Sequence, residues 1–139
     1  MPSQPEAPQP VNPFQQLEAL VKRLRSEQGC PWDQAQTTVS LKKYLLEEAA
    51  ELAEAIDQGD FALICEEAGD LYFVLTLLLV ICEEQGACSP AAALNAISAK
   101  MLRRHPHVFA APEGAIFSPE QLKAQWQRIK EEEKQGKYE

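Results

Sequence analysis

Positive charge is missing from the middle of this sequence. No lysine or arginine lies between Lys43 and Lys100, while eleven aspartates and glutamates do. The formal net charge of -8 argues against a general nucleic-acid binder, because phosphate backbones need a basic face. Glycine is scarce at 6 of 139 residues, β-branched runs are few and no strand-like alternation appears. That excludes a sheet-based fold and leaves the helix formers Ala, Leu, Glu, Lys and Gln to set the class, which is all-α. The most apolar run, Leu71 to Cys82, has twelve residues, too few to span a bilayer, so no membrane partner is expected. The four cysteines (Cys30, Cys65, Cys82 and Cys88) include no C-x-x-C pair, and the chain does not open on a basic, then apolar, leader. They are expected to be reduced thiols of a cytoplasmic protein, with Cys65 and Cys82 buried on helices.

What is present reads as one domain of helices. Five of the ten prolines fall at or before Pro13, so residues 1–12 are expected to be a disordered Pro-rich terminus. Asn12-Pro13 opens a first helix to about Glu27, with Phe14, Leu17, Leu20, Val21 and Leu24 on one face. GCPWDQAQT reads as a loop. Ser40 or a nearby threonine opens a second helix, which Gly59 ends at about Gln58. Asp60 caps a third helix, to about Gln85. Ser89-Pro90 starts a fourth, to about Arg104. HPHVFAAPEGAIF is a loop, and Ser118-Pro119 starts an amphipathic fifth helix whose tail, KEEEKQGKYE, is expected to fray. The result is a four-to-five-helix bundle, divided into a terminus (1–12), a main helical domain (13–110) and a loop with a C-terminal helix (111–139). The third helix is apolar on every side from Leu71 to Cys82, with Thr76 its one polar residue. Such a helix needs cover on all sides, which places it centrally and calls for a second subunit against one face, the alternative being cover by the first and fifth helices.

Acids interrupt the apolar stripes. On the second helix the stripe runs through Leu41, Tyr44, Leu45, Leu52, Ala55 and Ile56; Glu48 falls inside it and Glu51 at its edge. On the third, Leu63, Val74, Leu77 and Ile81 mark the stripe, with Glu67 and Asp70 inside it. Residues three apart share a helix side, so a tight Gly59-Asp60 turn would bring the two acid pairs face to face. Four inward carboxylates repel one another unless a cation joins them. Oxygen ligands without Cys or His suit a hard ion, Mg²⁺ first and Mn²⁺ as its substitute. Glu54, Asp57, Glu66, Glu83 and Glu84 read as solvated surface charge. Glu47 lies beside Glu48 and either takes a proton from water, joins a second metal or is simply exposed.

Positive charge returns at Lys100, Arg103 and Arg104. These residues either complement a helix C-terminus or bind phosphate, arginine giving bidentate contacts. His105 and His107 share a loop without a convincing further ligand, which argues against zinc. Trp32 and Asp33 follow a proline-fixed turn; they either stack on a base and accept its hydrogen bonds, or plug the core and cap a helix.

Together the residues resemble the MazG-like nucleoside triphosphate pyrophosphohydrolases, an all-α superfamily. The likeness covers about Phe14 to Phe109. It rests on E-E-x-x-E at Glu47, Glu48 and Glu51, on E-x-x-D at Glu67 and Asp70, and on GCPWDQAQT, YLLEEAAELAEAI, GDF, EEAGDL and RRHPHVF. The resemblance implies that Glu48, Glu51, Glu67 and Asp70 bind Mg²⁺ and that Glu47 or Glu51 serves catalysis. It further implies that Lys100, Arg103 and Arg104 sit near phosphate, and that the protein forms a homodimer or homotetramer. The implied reaction is NTP plus water to NMP plus pyrophosphate, a nucleotide-pool housekeeping role. The alternative is a non-catalytic acidic helical oligomerisation or adaptor module. A di-iron protein is disfavoured, since neither acid pair includes a histidine.

Overall fold

Each helix starts where the sequence supplies a cap. In the computed structural model, which describes residues 12–136, all regular structure among the described residues is helical. Helix α1 (Pro13–Arg25) begins at Asn12, whose Oδ1 accepts the Phe14 N–H at 2.9 Å. It ends at Ser26, slightly short of the expected Glu27. The segment read as a loop contains a short helix, α2 (Pro31–Ala35), started by a proline at its first turn. Helix α3 (Thr38–Gln58) opens on a reciprocal capping box between Thr37 and Ser40. Gly59 closes it at φ 69°, a left-handed position that favours glycine. Asp60 then caps α4 (Phe61–Glu84), accepting the Leu63 N–H at 3.2 Å. Helix α5 is Pro90–Arg104, and a one-turn α6 (Pro106–Phe109) interrupts the expected loop. Helix α7 (Pro119–Lys134) has its own capping box, Ser118 with Gln121. Its helical course through Lys134 corrects the expectation of a frayed tail as far as that residue; the terminal residues 137–139, like residues 1–11 of the Pro-rich segment, lie outside the described residues.

The described chain divides into two compact units, one ending at Pro90 and the other beginning at Ala91. In the first, α3 and α4 form the principal pair, α1 packs on α4, and α2 packs on α1. The core is Val21, Leu41, Leu77, Val80 and Ile81, flanked by Leu17, Tyr44, Phe73 and Leu78. Fully burying a side chain such as Leu41 or Leu77 contributes roughly 1.5–3 kcal/mol. Lys22 and Arg25 of α1 also reach Glu83 and Glu84 at the end of α4.

Two burial expectations change. Helix α4 is not covered on every side within the single chain: Val74, Leu77, Val80 and Ile81 are buried, but Tyr72 and Leu75 are exposed. Cys65 is exposed and Cys82 only half-buried, because their positions fall off the face that meets α1 and α3. In the second unit the buried side chain is Ile129 of α7. Polar and aromatic contacts do much of the rest. Gln125 Nε2 lies 3.0 Å from His107 Nδ1, His105 stacks edge-on with Trp126, and His107 with Phe117.

Candidate metal centre

The α3–α4 hairpin brings four acids together, as their spacing requires. Glu48 and Glu51 stand one turn apart on α3, Glu67 and Asp70 one turn apart on α4. One carboxylate oxygen from each lies within 4.8 Å of all the others. Glu48 and Glu67 are half-buried, while Glu51 and Asp70 are exposed. Asp70 therefore forms part of the rim of the cluster rather than sitting squarely in the apolar stripe. Glu47 is exposed and does not belong to the group of four.

The electrostatics show strain. Glu48 Oε2 and Glu67 Oε2 are buried without a hydrogen-bond partner. Desolvation first, then the neighbouring charges of Glu51 and Asp70, hold the Glu48 carboxyl above its ordinary pKa. Glu67 is raised in the same direction by desolvation and by Glu51, which lies within hydrogen-bonding reach of it. Among the described residues, no ion pair joins a lysine or arginine to the group; the nearest basic residues in sequence are Lys43 and Lys100. An all-oxygen donor set with two orphaned buried oxygens fits a hard divalent cation, and a cation would satisfy both.

Beside the acids is a cavity of about 160 Å³ lined by Trp32, Leu41, Tyr44, Phe73, Val74 and Leu77, with Glu48 and Asp70 at its acidic side. Trp32 is 45% exposed and meets the Tyr44 ring edge-on at 5.3 Å. It lines a cavity rather than plugging the core. Asp33, the next residue, is only 6% exposed, and its Oδ1 has no hydrogen-bond partner. Its place is held from the backbone: Arg25 Nη1 donates to the Asp33 carbonyl at 2.5 Å and to the Gln36 carbonyl at 3.2 Å. Larger open grooves along the first turns of α3, bordered by Val39 and Lys42 and in one case reaching Val74 and Leu78 of α4, contain no acid. The aromatic lining from α4, Phe73 above all, was not read from the sequence as part of a site. Its signal was there, one turn beyond Asp70, but it is indistinguishable from core.

Lys100, Arg103 and Arg104 belong to the second unit, on the last turn and a half of α5. Arg103 and Arg104 both pair with Glu133 of α7. Arg103 donates to Glu133 Oε2 through Nε at 2.8 Å and also through Nη2. Arg104 reaches Oε1 through Nε at 3.0 Å and Nη2 at 2.9 Å. The two guanidiniums hold the Glu133 carboxyl below its ordinary pKa. Arg104 Cζ lies over the Trp126 ring, 5.0 Å from its centroid. His105 Nδ1 sits 2.6 Å from the Met101 carbonyl, so that imidazole is engaged locally.

A helical hairpin that gathers two i, i+3 acid pairs into one oxygen cluster defines an all-α domain with a candidate carboxylate metal site. Comparison with known families makes the assignment more particular. Residues 36–109 match the model of the MazG nucleotide pyrophosphohydrolase domain, more than half of the chain, and the protein belongs to that family. A Thermotoga maritima protein named nucleoside triphosphate pyrophosphohydrolase/pyrophosphatase MazG is 39% identical over 121 residues, which cover 87% of this chain and 45% of the relative. A nucleoside triphosphate pyrophosphohydrolase of Escherichia coli K12 is 38% identical over 128 residues, 91% of this chain and 48% of the relative. The chain thus spans less than half the length of these relatives. The crystal structure of a MazG-related protein from Thermotoga maritima superposes with a TM-score of 0.69 at 26% identity, covering 84% of this chain and 98% of that one.

Proposed function

We propose that this protein is a Mg²⁺-dependent nucleoside triphosphate pyrophosphohydrolase serving nucleotide-pool housekeeping, in the cytoplasm. The observation that carries the reading is the convergence of Glu48, Glu51, Glu67 and Asp70, two of them with orphaned buried oxygens, inside the residues that match the family. The names of the Thermotoga and Escherichia relatives support the reaction. We take residues 13–110 as the catalytic segment, which contains the matched region.

Glu48, Glu51, Glu67 and Asp70 would hold Mg²⁺, or Mn²⁺ in its place. When bound, the ion supplies Lewis-acid neutralisation of phosphate charge and acidifies nearby water. In the reaction, a water oxygen bonds to one phosphorus of the α–β linkage, the bridging P–O bond breaks, and the group on the other side of that bond leaves with the electron pair, giving monophosphate and pyrophosphate. Glu47 or Glu51 orients that water or accepts its proton; Glu51 belongs to the cluster, and Glu47 is exposed outside it. Lys100, Arg103 and Arg104 neutralise charge that develops on the phosphates. Trp32 and Asp33 take the base. The cavity beside Trp32 is smaller than the roughly 300–1,000 Å³ of whole-ligand pockets, which suits one ring system rather than an entire nucleotide. Asp33 Oδ1 offers a buried acceptor for a base N–H.

The test is a panel of ordinary and modified NTPs with Mg²⁺ and with Mn²⁺, scored for products. Monophosphate and pyrophosphate are expected. Orthophosphate with a diphosphate would overturn the cleavage position, and no turnover of any nucleotide would favour the adaptor reading.

A further inference from the structure

One carboxylate in the second unit does something the metal centre does not require. Glu133 lies outside the residues that match the family and outside the acid cluster. Its side chain is 12% exposed and takes two arginines at once, Arg103 on Oε2 and Arg104 chiefly on Oε1, with a longer 3.4 Å contact to Oε2. The contact with Arg104 is edge-specific. Nε donates to Oε1 at 3.0 Å and Nη2 lies 2.9 Å from the same oxygen as an ion pair, so the carboxylate occupies one edge of the planar guanidinium. Arg104 Cζ also lies over the Trp126 ring, 5.0 Å from its centroid. Among the described residues, no hydrogen bond engages Arg104 Nη1. The end-on Nη1/Nη2 edge thus remains, on a group already held along its other edge by the carboxylate and packed against the Trp126 ring. An arginine fixed in this way binds a phosphate with less loss of rotamer freedom than an unsupported one. Lys100 stands one turn earlier on the same helix.

We infer that Glu133 is a positioning residue for phosphate recognition: it clamps the Nε/Nη2 edge of Arg104 so that the Nη1/Nη2 edge is presented ready-oriented to the triphosphate. The inference rests on the reading that Arg104 binds phosphate, and the two can fail separately. A carboxylate that merely competed with phosphate for the arginines would give the opposite sign on removal.

The experiment measures binding of tripolyphosphate, with Mg²⁺ present, to the full chain and to Glu133→Gln, Glu133→Asp, Arg104→Ala and the Glu133→Gln/Arg104→Ala double variant. KM and kcat for the best nucleotide of the panel are read in parallel. Glu133→Gln should weaken tripolyphosphate binding about fivefold to tenfold and raise KM similarly, with kcat within about twofold. Glu133→Asp should recover part of the affinity. In the Arg104→Ala background Glu133→Gln should add almost nothing, since the two act through one contact. Melting temperatures and metal-induced melting shifts show whether each variant is folded. If Glu133→Gln tightens binding, or weakens it equally without Arg104, the positioning role is overturned. If Arg104→Ala weakens binding while both folded Glu133 variants equal the parent, the phosphate reading stands and the inference fails. If Arg104→Ala changes neither affinity nor KM, both fail.

Discussion

At the residue scale, the four acids of the hairpin are placed against their own preference. Each would be better solvated alone, and the raised pKa values of Glu48 and Glu67 record the cost. Removing one charge without changing shape should relieve it. Glu51→Gln and Asp70→Asn should therefore melt no lower than the parent in EDTA, and should lose activity by more than the roughly 10–100-fold typical of a residue that only supports a metal ligand. Metal should stabilise the parent by mass action, about 2.7 kcal/mol at a hundredfold excess over Kd, and the variants far less. Equal melting shifts in parent and variants, with activity kept, would dismiss the four-carboxylate site. The pH dependence follows with its sign. A carboxylate whose folded pKa is raised stabilises the fold while protonated, fully below its unfolded pKa, and loses that contribution as pH rises through the folded value. In EDTA the first unit should gain stability as pH falls from neutrality toward the raised values of Glu48 and Glu67. Glu133 has the opposite sign: its contribution is present above its unfolded pKa and lost as pH falls through its depressed folded value. Melting followed against pH, with and without Mg²⁺, separates the two, since bound metal competes with the protons on Glu48 and Glu67.

At the element scale, the hairpin and the α1–α2 connection do the positioning. Gly59 and Asp60 set the reversal that turns two local acid pairs into one cluster. Gly29 does comparable work by close approach rather than by unusual backbone angles. A Cβ there would stand 2.0 Å from the Leu24 carbonyl oxygen, the same oxygen that accepts the Cys30 N–H at 2.7 Å. Gly29→Ala must therefore displace the end of α1 or the start of α2, at a cost of about 1–3 kcal/mol. Because α2 carries Trp32 and Asp33, nucleotide affinity should fall along with stability while metal affinity is kept. A denaturant midpoint and a KM unchanged from the parent would refute this. The caps of α3, α4 and α7 were visible in the sequence, because Thr, Ser and Asp at helix starts act through local hydrogen bonds. Helices α2 and α6 were hidden, because four or five residues show no apolar period and a proline at the first turn also reads as a loop breaker.

At the scale of the whole molecule, the exposed apolar side chains of α4 bear on assembly. Tyr72 and Leu75 of α4, with Phe14 of α1 in edge contact with Tyr72, remain open in the single chain. Apolar residues grouped in this way favour a dimer or a dimer of dimers. Light scattering at micromolar concentration should show no monomer, and a clean monomer would leave α4's exposed side simply solvated. Among the described residues, no helix is long and apolar enough to cross a membrane.

The sequence by itself determined the helical class, the caps, the acid spacing and the resemblance that the family match bears out. All of these are local: a helix repeats every 3.6 residues, and a pair three apart needs no tertiary information to share a side. Tertiary structure alone decided which carboxylate oxygens lose their solvent, leaving Glu48 and Glu67 strained and Asp70 at the rim. It alone showed that Trp32 borders a cavity with Phe73, and that Glu133, about thirty residues from Arg103 and Arg104, closes on both. Burial and long-range charge pairing depend on how helices dock. Docking is settled by side-chain packing between segments far apart in the chain, which no spacing rule contains.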